Sequence, residues 1–115
     1  MEVLGTTDKP VKFNGQYGAG SWMGINIQQS NSNLNVIKNA IIENARESHW
    51  NWFNQKGGIS LGFQTGQIIY VKMENVSIIN SAGCGVVERG IKDGSNITYT
   101  NMTFENNAGQ DYCEE

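Results

Sequence analysis

The sequence predicts an all-β fold, a short right-handed parallel β-helix of about three full coils with partial coils at its ends, and three observations predict it. The composition is that of turn-rich β structure, with 14 glycines, one proline and only 17% charged residues among 115. Asn, Ser and Thr fill the place of the missing charge, and Asn and Gly tolerate the left-handed backbone that tight turns require. Apolar residues nowhere recur at helical spacing over three turns. The third observation is an internal repeat, which carries most of the weight.

Asn39-Ala40-Ile41-Ile42-Glu43-Asn44 resembles Asn75-Val76-Ser77-Ile78-Ile79-Asn80, and both resemble Asn101-Met102-Thr103-Phe104-Glu105-Asn106. The spacings are 36 and 26 residues. Extending the similarity without gaps gives three rows, 22–45, 58–81 and 84–107, inside a single domain spanning 1–115. A partial row follows at 110–115, and Ser81-Ala82-Gly83 recurs as Asn107-Ala108-Gly109 just before it.

Reading down these rows gives columns. Ile37, Met73 and Tyr99 form one; Ala40, Val76 and Met102 a second; Ile42, Ile78 and Phe104 a third; Ile25, Leu61, Val87 and Cys113 a fourth. The columns between them are mostly polar, so apolar residues alternate with period two in short segments that reset at turns. In the first row this places strands near 23–28, 35–38 and 40–43. One row cannot bury its apolar face alone, but rows stacked about 4.8 Å apart turn each column into a continuous ladder. Asn39, Asn75 and Asn101 then share one bend, and Asn44, Asn80 and Asn106 another, where stacked amides can hydrogen-bond along the axis. The segment 1–19 reads as a further partial row, with Val11 and Phe13 continuing the ladders of Ala40 and Ile42 and Lys12 pointing outward.

The pattern Asn-x-x-(Ile/Phe)-x-Asn, together with the opening Gly5-Thr6-Thr7-Asp8-Lys9-Pro10-Val11-Lys12-Phe13 and Trp22-Met23-Gly24-Ile25, resembles the repeat of the pectate-lyase-like superfamily of right-handed parallel β-helices, in its bacterial surface or secreted forms. The resemblance implies the fold and a secreted or cell-surface location, although Met1-Glu2-Val3-Leu4 has neither the basic nor the apolar stretch of a signal peptide. The superfamily holds lyases, hydrolases, epimerases and adhesins, so fold does not give function. Its lyases use basic residues and calcium-binding aspartates on one strand face. The matching face here offers Gly24, Asn26, Gln28, Ser60, Gly62, Gln64, Val86 and Glu88, with acid and base together only at Glu88, Lys92 and Asp93. No catalytic residue is transferred from the family.

Two breaks in the pattern point to function. An inserted loop, 46–57, carries the single histidine, His49, and the aromatic run Trp50, Trp52 and Phe53. Insertions in stacked-repeat folds gather on one side, often the binding side. Exposed rings of this kind stack on sugar faces, and the bland account is that they cover the flank or pair between subunits. The second break is charge. Arg89 falls in the column of Ile27 and Phe63, Asp111 in that of Met23 and Ile59, while Glu88 and Glu114 share an outward column with Asn26 and Gly62. Adjacent rungs put those two carboxylates about 5 Å apart, a separation retaining glycosidases use. Glu88 is therefore the candidate catalytic acid, and a solvated acidic end is the plainer account.

Other classes drop out. A net charge of −3 with no basic patch argues against nucleic acid. No apolar run approaches the roughly 20 residues that span a bilayer. His49 has no partner at metal-ligand spacing, and no cofactor is implied. Cys84 and Cys113 fall in different columns, offset by three residues along a strand, about 10 Å and too far for a disulfide, so both are expected as free thiols, with Cys113 pointing inward. Open strand edges at the ends invite pairing, so a homodimer or inclusion in a longer β-helix is expected. The reading is thus a non-catalytic β-helix module that binds a poly- or oligosaccharide, or a protein partner, through 46–57. The alternatives are a carbohydrate-active lyase or hydrolase, or a fragment of one, and a purely structural assembly element.

Overall fold

A computed structural model describes residues 1–18, 20–45, 57–62 and 66–115. Among them there is no helix; ten strands form two sheets whose pairs are all parallel. The strands are β1 (Glu2–Leu4), β2 (Val11–Asn14), β3 (Ile25–Ile27), β4 (Val36–Glu43), β5 (Gly57–Leu61), β6 (Tyr70–Ile79), β7 (Cys84–Glu88), β8 (Asn96–Thr100), β9 (Thr103–Glu105) and β10 (Tyr112–Glu114). A six-stranded sheet runs β1-β4-β6-β8, with β2 also beside β4 and β9 also beside β6; a four-stranded sheet runs β3-β5-β7-β10. From β2 onward the chain moves back and forth between the two sheets, so each strand lies beside its counterpart one repeat away.

In the larger sheet the sequence columns are the observed register. Ile37 pairs with Met73 and Met73 with Tyr99; Ile42 pairs with Ile78 and Ile78 with Phe104. Ala40 pairs with Val76. Val11 and Phe13 pair with Ala40 and Ile42, and Lys12 projects outward to a 3.0 Å ion pair with Glu43. The two strands expected in each row fuse into one in β4 and β6, with a kink at Asn39 and Asn75, whose φ values are 52° and 55°. A left-handed residue inside a strand resets the side-chain phase, so Ile37 and Ala40, three apart, both reach the core. Asn tolerates this conformation where other L-residues would pay 1–2 kcal/mol. Asn101, Asn44, Asn80 and Asn106 also have positive φ. The amides stack: Asn75 Nδ2 donates to Asn39 Oδ1 at 2.5 Å, and Asn44 Nδ2 donates to Asn14 Oδ1 at 2.7 Å.

In the smaller sheet the register differs from the expected columns. Ile25 pairs with Ile59, Ile27 with Leu61, and Leu61 with Glu88, so the column Ile25–Leu61–Val87 does not form. Val87 does pair with Cys113, and Glu88 with Glu114. The expected alignment was two residues out between β3 and β5 and one out between β5 and β7. The cause is local. Every residue of β5 is buried, so there is no alternation to fix its register. Gly58 and Gly85 allow close approach of backbone and core: a Cβ at Gly85 would stand 2.5 Å from Phe104 Cδ1 and 2.6 Å from the Asp111 carbonyl.

The core lies between the sheets. Ile37, Ile42, Met73, Val76 and Ile78 from one and Ile59, Leu61 and Val86 from the other are fully buried. Ile97, Tyr99, Met102 and Phe104 pack on this core but are only partly covered, so the core thins toward β8, β9 and β10.

The expectation of free thiols is overturned: Cys84 and Cys113 form a disulfide with Cα atoms 6.2 Å apart. The 10 Å expectation assumed straight neighbouring strands. The chain instead curls around Gly109, whose N–H donates to the Gly83 carbonyl at 2.9 Å and whose missing side chain leaves room beside Cys84.

Candidate functional site at the thin end of the core

Trp50, Trp52, Phe53 and His49 lie outside the described residues, as does Phe63. The attachment of their segment is described. On one side Ala45 accepts a backbone hydrogen bond from Ala82, and on the other Gly57 is the register partner of Cys84. Both ends of the segment 46–56 are therefore anchored beside the turn that leads into β7.

Glu88, the last residue of β7, sits elsewhere than its expected outward column with Asn26 and Gly62. It extends the column of Ile27 and Leu61, two core residues, and is the register partner of Glu114 in β10. Across the gap between the sheets, Tyr99 Oη donates to Glu88 Oε1 at 2.7 Å. Tyr99 occupies the column of Ile37 and Met73. Where two rows place aliphatic side chains in these columns, Ile37 with Ile27 and Met73 with Leu61, the next places a phenol and a carboxylate. Each is partly buried, and each satisfies the other.

Tyr112 completes the arrangement. Its ring centroid is 5.0 Å from that of Tyr99 and 5.0 Å from that of Phe104, tilted against both. Such tilted geometry favours the ring quadrupoles. Val86, Glu88, Tyr99, Tyr112, Cys113 and Glu114 line a cavity of about 360 Å³ that opens to solvent. The volume falls within the range of small-molecule sites.

The electrostatics follow from this placement. Burial pushes the Tyr99 hydroxyl well above the ordinary tyrosine range, and the hydrogen bond to Glu88 and the nearby carboxylate charge push it further. Tyr99 is thus held as a neutral hydrogen-bond donor. The Tyr112 hydroxyl is raised too, by burial first and then by the charge of Asp111. Arg89 does not enter the core: its Nε lies 3.9 Å from Glu115 Oε2. Asp111 is exposed. The two charges that seemed to face inward are accommodated at the rim.

No family model, curated protein or solved structure matches the chain.

The site therefore rests on its own chemistry. It offers two aromatic faces, two glutamate side chains on neighbouring rungs and one fixed hydroxyl. That set suits a ligand with an apolar ring face and several hydroxyl donors, and it disfavours an anion. Among the described residues, no group of three or more His, Cys, Asp or Glu is brought together to hold a metal ion. No described helix is long and apolar enough to cross a membrane. Sequence reasoning singled out Glu88 but missed Tyr99 and Tyr112. Only Tyr99 carried a signal, standing where its column otherwise holds Ile37 and Met73; the sequence rows set Tyr112 with Gly24 and Ser60, and only the observed register places it with Ile25, Ile59 and Val86.

Proposed function

We propose that the chain is a right-handed parallel β-helix module, of the kind the repeat resembles in the pectate-lyase-like superfamily, that binds a neutral, hydroxyl-rich glycan without cleaving it. The parallel register between strands one repeat apart supports the β-helix. The observation that carries the binding role is the Tyr99–Glu88 hydrogen bond inside a cavity whose wall is completed by Tyr112 and Glu114. A pyranose ring presents an apolar face to a tyrosine ring and hydroxyl donors to glutamate oxygens, which accept strong, charge-assisted hydrogen bonds. The aromatic segment with Trp50, Trp52, Phe53 and His49 is proposed as a second contact for such a glycan, on the strength of its residue types alone. A polyuronate is disfavoured by the carboxylates of Glu88 and Glu114. The disulfide suits an oxidising compartment and thus the secreted or cell-surface location.

Isothermal titration with cellohexaose, mannohexaose and a galacturonate hexamer tests this reading. Saturable binding of a neutral hexamer, lost in Tyr112→Ala and weakened in Trp50→Ala, is the expected result. Binding of the galacturonate hexamer in preference, or of none of the three, overturns it; silence would leave the homodimer or longer-assembly role.

A second reading has one observation in its favour. Glu88 and Glu114 are register partners on adjacent strands, about 4.8 Å apart at the backbone. Two carboxylates at about 5 Å suit a retaining glycosidase, with Glu88 as the acid. New reducing ends in the same titration, abolished by Glu88→Gln, would select this enzyme over the binding module.

A further inference from the structure

The geometry points to a redox latch on this site: the Cys84–Cys113 disulfide holds β10 against β7, and a dithiol that opens it releases Tyr112 and Glu114 from the cavity wall. The inference rests on the reading of that cavity as the binding site.

Cys113 stands between Tyr112 and Glu114 in β10, and all three line the cavity. Besides the disulfide, β10 and its flanks are held by the ladder with β7, by the Tyr112 ring against Tyr99 and Phe104, and by the Arg89–Glu115 ion pair, all at a sheet edge. The strand is three residues long and, among the described residues, pairs with β7 alone. Gln110, Asp111, Tyr112, Glu114 and Glu115 are exposed, Tyr112 at 45%. The backbone bonds along this stretch all run to one side, to β7 and its flanks: Gly85 N–H to the Gln110 carbonyl at 2.9 Å, Val86 N–H to the Asp111 carbonyl at 2.8 Å and Glu115 N–H to the Glu88 carbonyl at 2.9 Å, beside the ladder of β10 itself. A segment with little buried apolar area and solvent-facing hydrogen bonds opens at low free-energy cost. The disulfide removes that freedom.

The rest of the closed loop does not depend on the bond. The two cysteines are 29 positions apart, and the chain between them includes β8 and β9, each independently registered on β6. Opening the disulfide therefore frees β10 and leaves the two sheets standing.

The bond is also reachable. Both cysteines are only partly buried, and both line a second solvent-open cavity, of about 440 Å³, together with Gly109 and Gln110. A Cβ at Gly109 would stand 2.9 Å from Cys84 Sγ, so glycine there keeps the approach to the sulfur clear. The step is ordinary thiol–disulfide exchange. A thiolate of the dithiol attacks one sulfur, the Sγ–Sγ bond breaks, and the second thiol of the reductant resolves the mixed disulfide. The reductant ends as a disulfide, and Cys84 and Cys113 end as thiols, each having gained one electron and one proton.

Hydrogen exchange read by mass spectrometry, with and without dithiothreitol, tests the latch, alongside titration with cellohexaose. Reduction should strip protection from 110–115 while leaving 70–79 protected, and should weaken cellohexaose binding by about tenfold, the equivalent of about 1.4 kcal/mol. The double variant Cys84→Ser/Cys113→Ser should match the reduced protein and ignore dithiothreitol. Equal protection of 110–115 in both redox states overturns the latch, as does loss of protection across 70–79, which would make the bond a global staple. Unchanged cellohexaose affinity with 110–115 released overturns the link to binding. If the oxidised protein binds no cellohexaose, the binding reading falls, and the exchange data still judge the latch.

Discussion

Asn80 Nδ2 donates to Asn44 Oδ1 at 2.6 Å, and both residues hold left-handed backbone, at φ 56° and 65°. Asn44 in turn donates to Asn14 Oδ1 and to the Gly15 carbonyl, at 2.7 and 3.1 Å, while only 8% exposed. One side chain thus ties three successive rungs at a bend where most residues would be strained.

Replacing Asn44 separates the two contributions. Asn44→Ala loses the amide bonds and keeps a Cβ at positive φ, and should cost about 2–4 kcal/mol in urea unfolding. Asn44→Gly loses the same bonds but relieves the backbone, and should be about 1 kcal/mol milder. Equal losses would mean that the backbone conformation, not the ladder, is irrelevant at this bend.

Gly85 should resist any side chain. A Cβ there meets the Phe104 ring, which can move, and the Asp111 carbonyl, which is held in the ladder to Val86. Gly85→Ala should destabilise by about 1–3 kcal/mol, the usual cost of overpacking. Adding Phe104→Leu should not restore wild-type stability, because the carbonyl clash persists. Thermal unfolding of the single and double variants checks both statements.

The larger sheet was legible because its strands alternate around fixed asparagines. Once Asn39, Asn75 and Asn101 are aligned, Ile37 over Met73 over Tyr99 follows. The smaller sheet was less legible because β5 is Gly-Gly-Ile-Ser-Leu, buried at every position, and carries no phase. The disulfide escaped for a related reason: its cysteines sit one 26-residue repeat plus three apart, and only the curl at Gly109 brings them together. The Tyr99–Glu88 pair escaped because it spans the two sheets. Columns describe neighbours within a sheet and say nothing about which side chains meet across the core.

The outward ion pair between Lys12 and Glu43 should matter little, despite its 3.0 Å separation. The Lys12 side chain is 52% exposed, so solvent and salt screen the attraction. Glu43→Gln should change stability by less than about 1 kcal/mol, and the change should shrink in 0.5 M salt, where the screening length is only about 4 Å. A larger loss, insensitive to salt, would show that Glu43 acts through something other than this pair.

Alkaline pH should loosen the thin end of the core first. The Tyr99 hydroxyl titrates above the ordinary tyrosine range in the folded chain because burial and the Glu88 carboxylate disfavour the phenolate. In the unfolded chain it ionises near its usual value of about 10. Between those two points the unfolded state binds fewer protons than the folded one, so stability falls as pH rises. Below that window the contribution is fully present. Tyr112, raised by burial and Asp111, acts in the same direction. Urea midpoints measured from pH 8 to 11 should therefore decline, and the decline should be shallower in Tyr99→Phe, which has no proton to lose. At pH 7 the same variant should lose about 1–2 kcal/mol, because Glu88 forfeits its phenol donor. Parallel pH profiles for wild type and Tyr99→Phe would show that the Tyr99–Glu88 pair does not govern the alkaline limb.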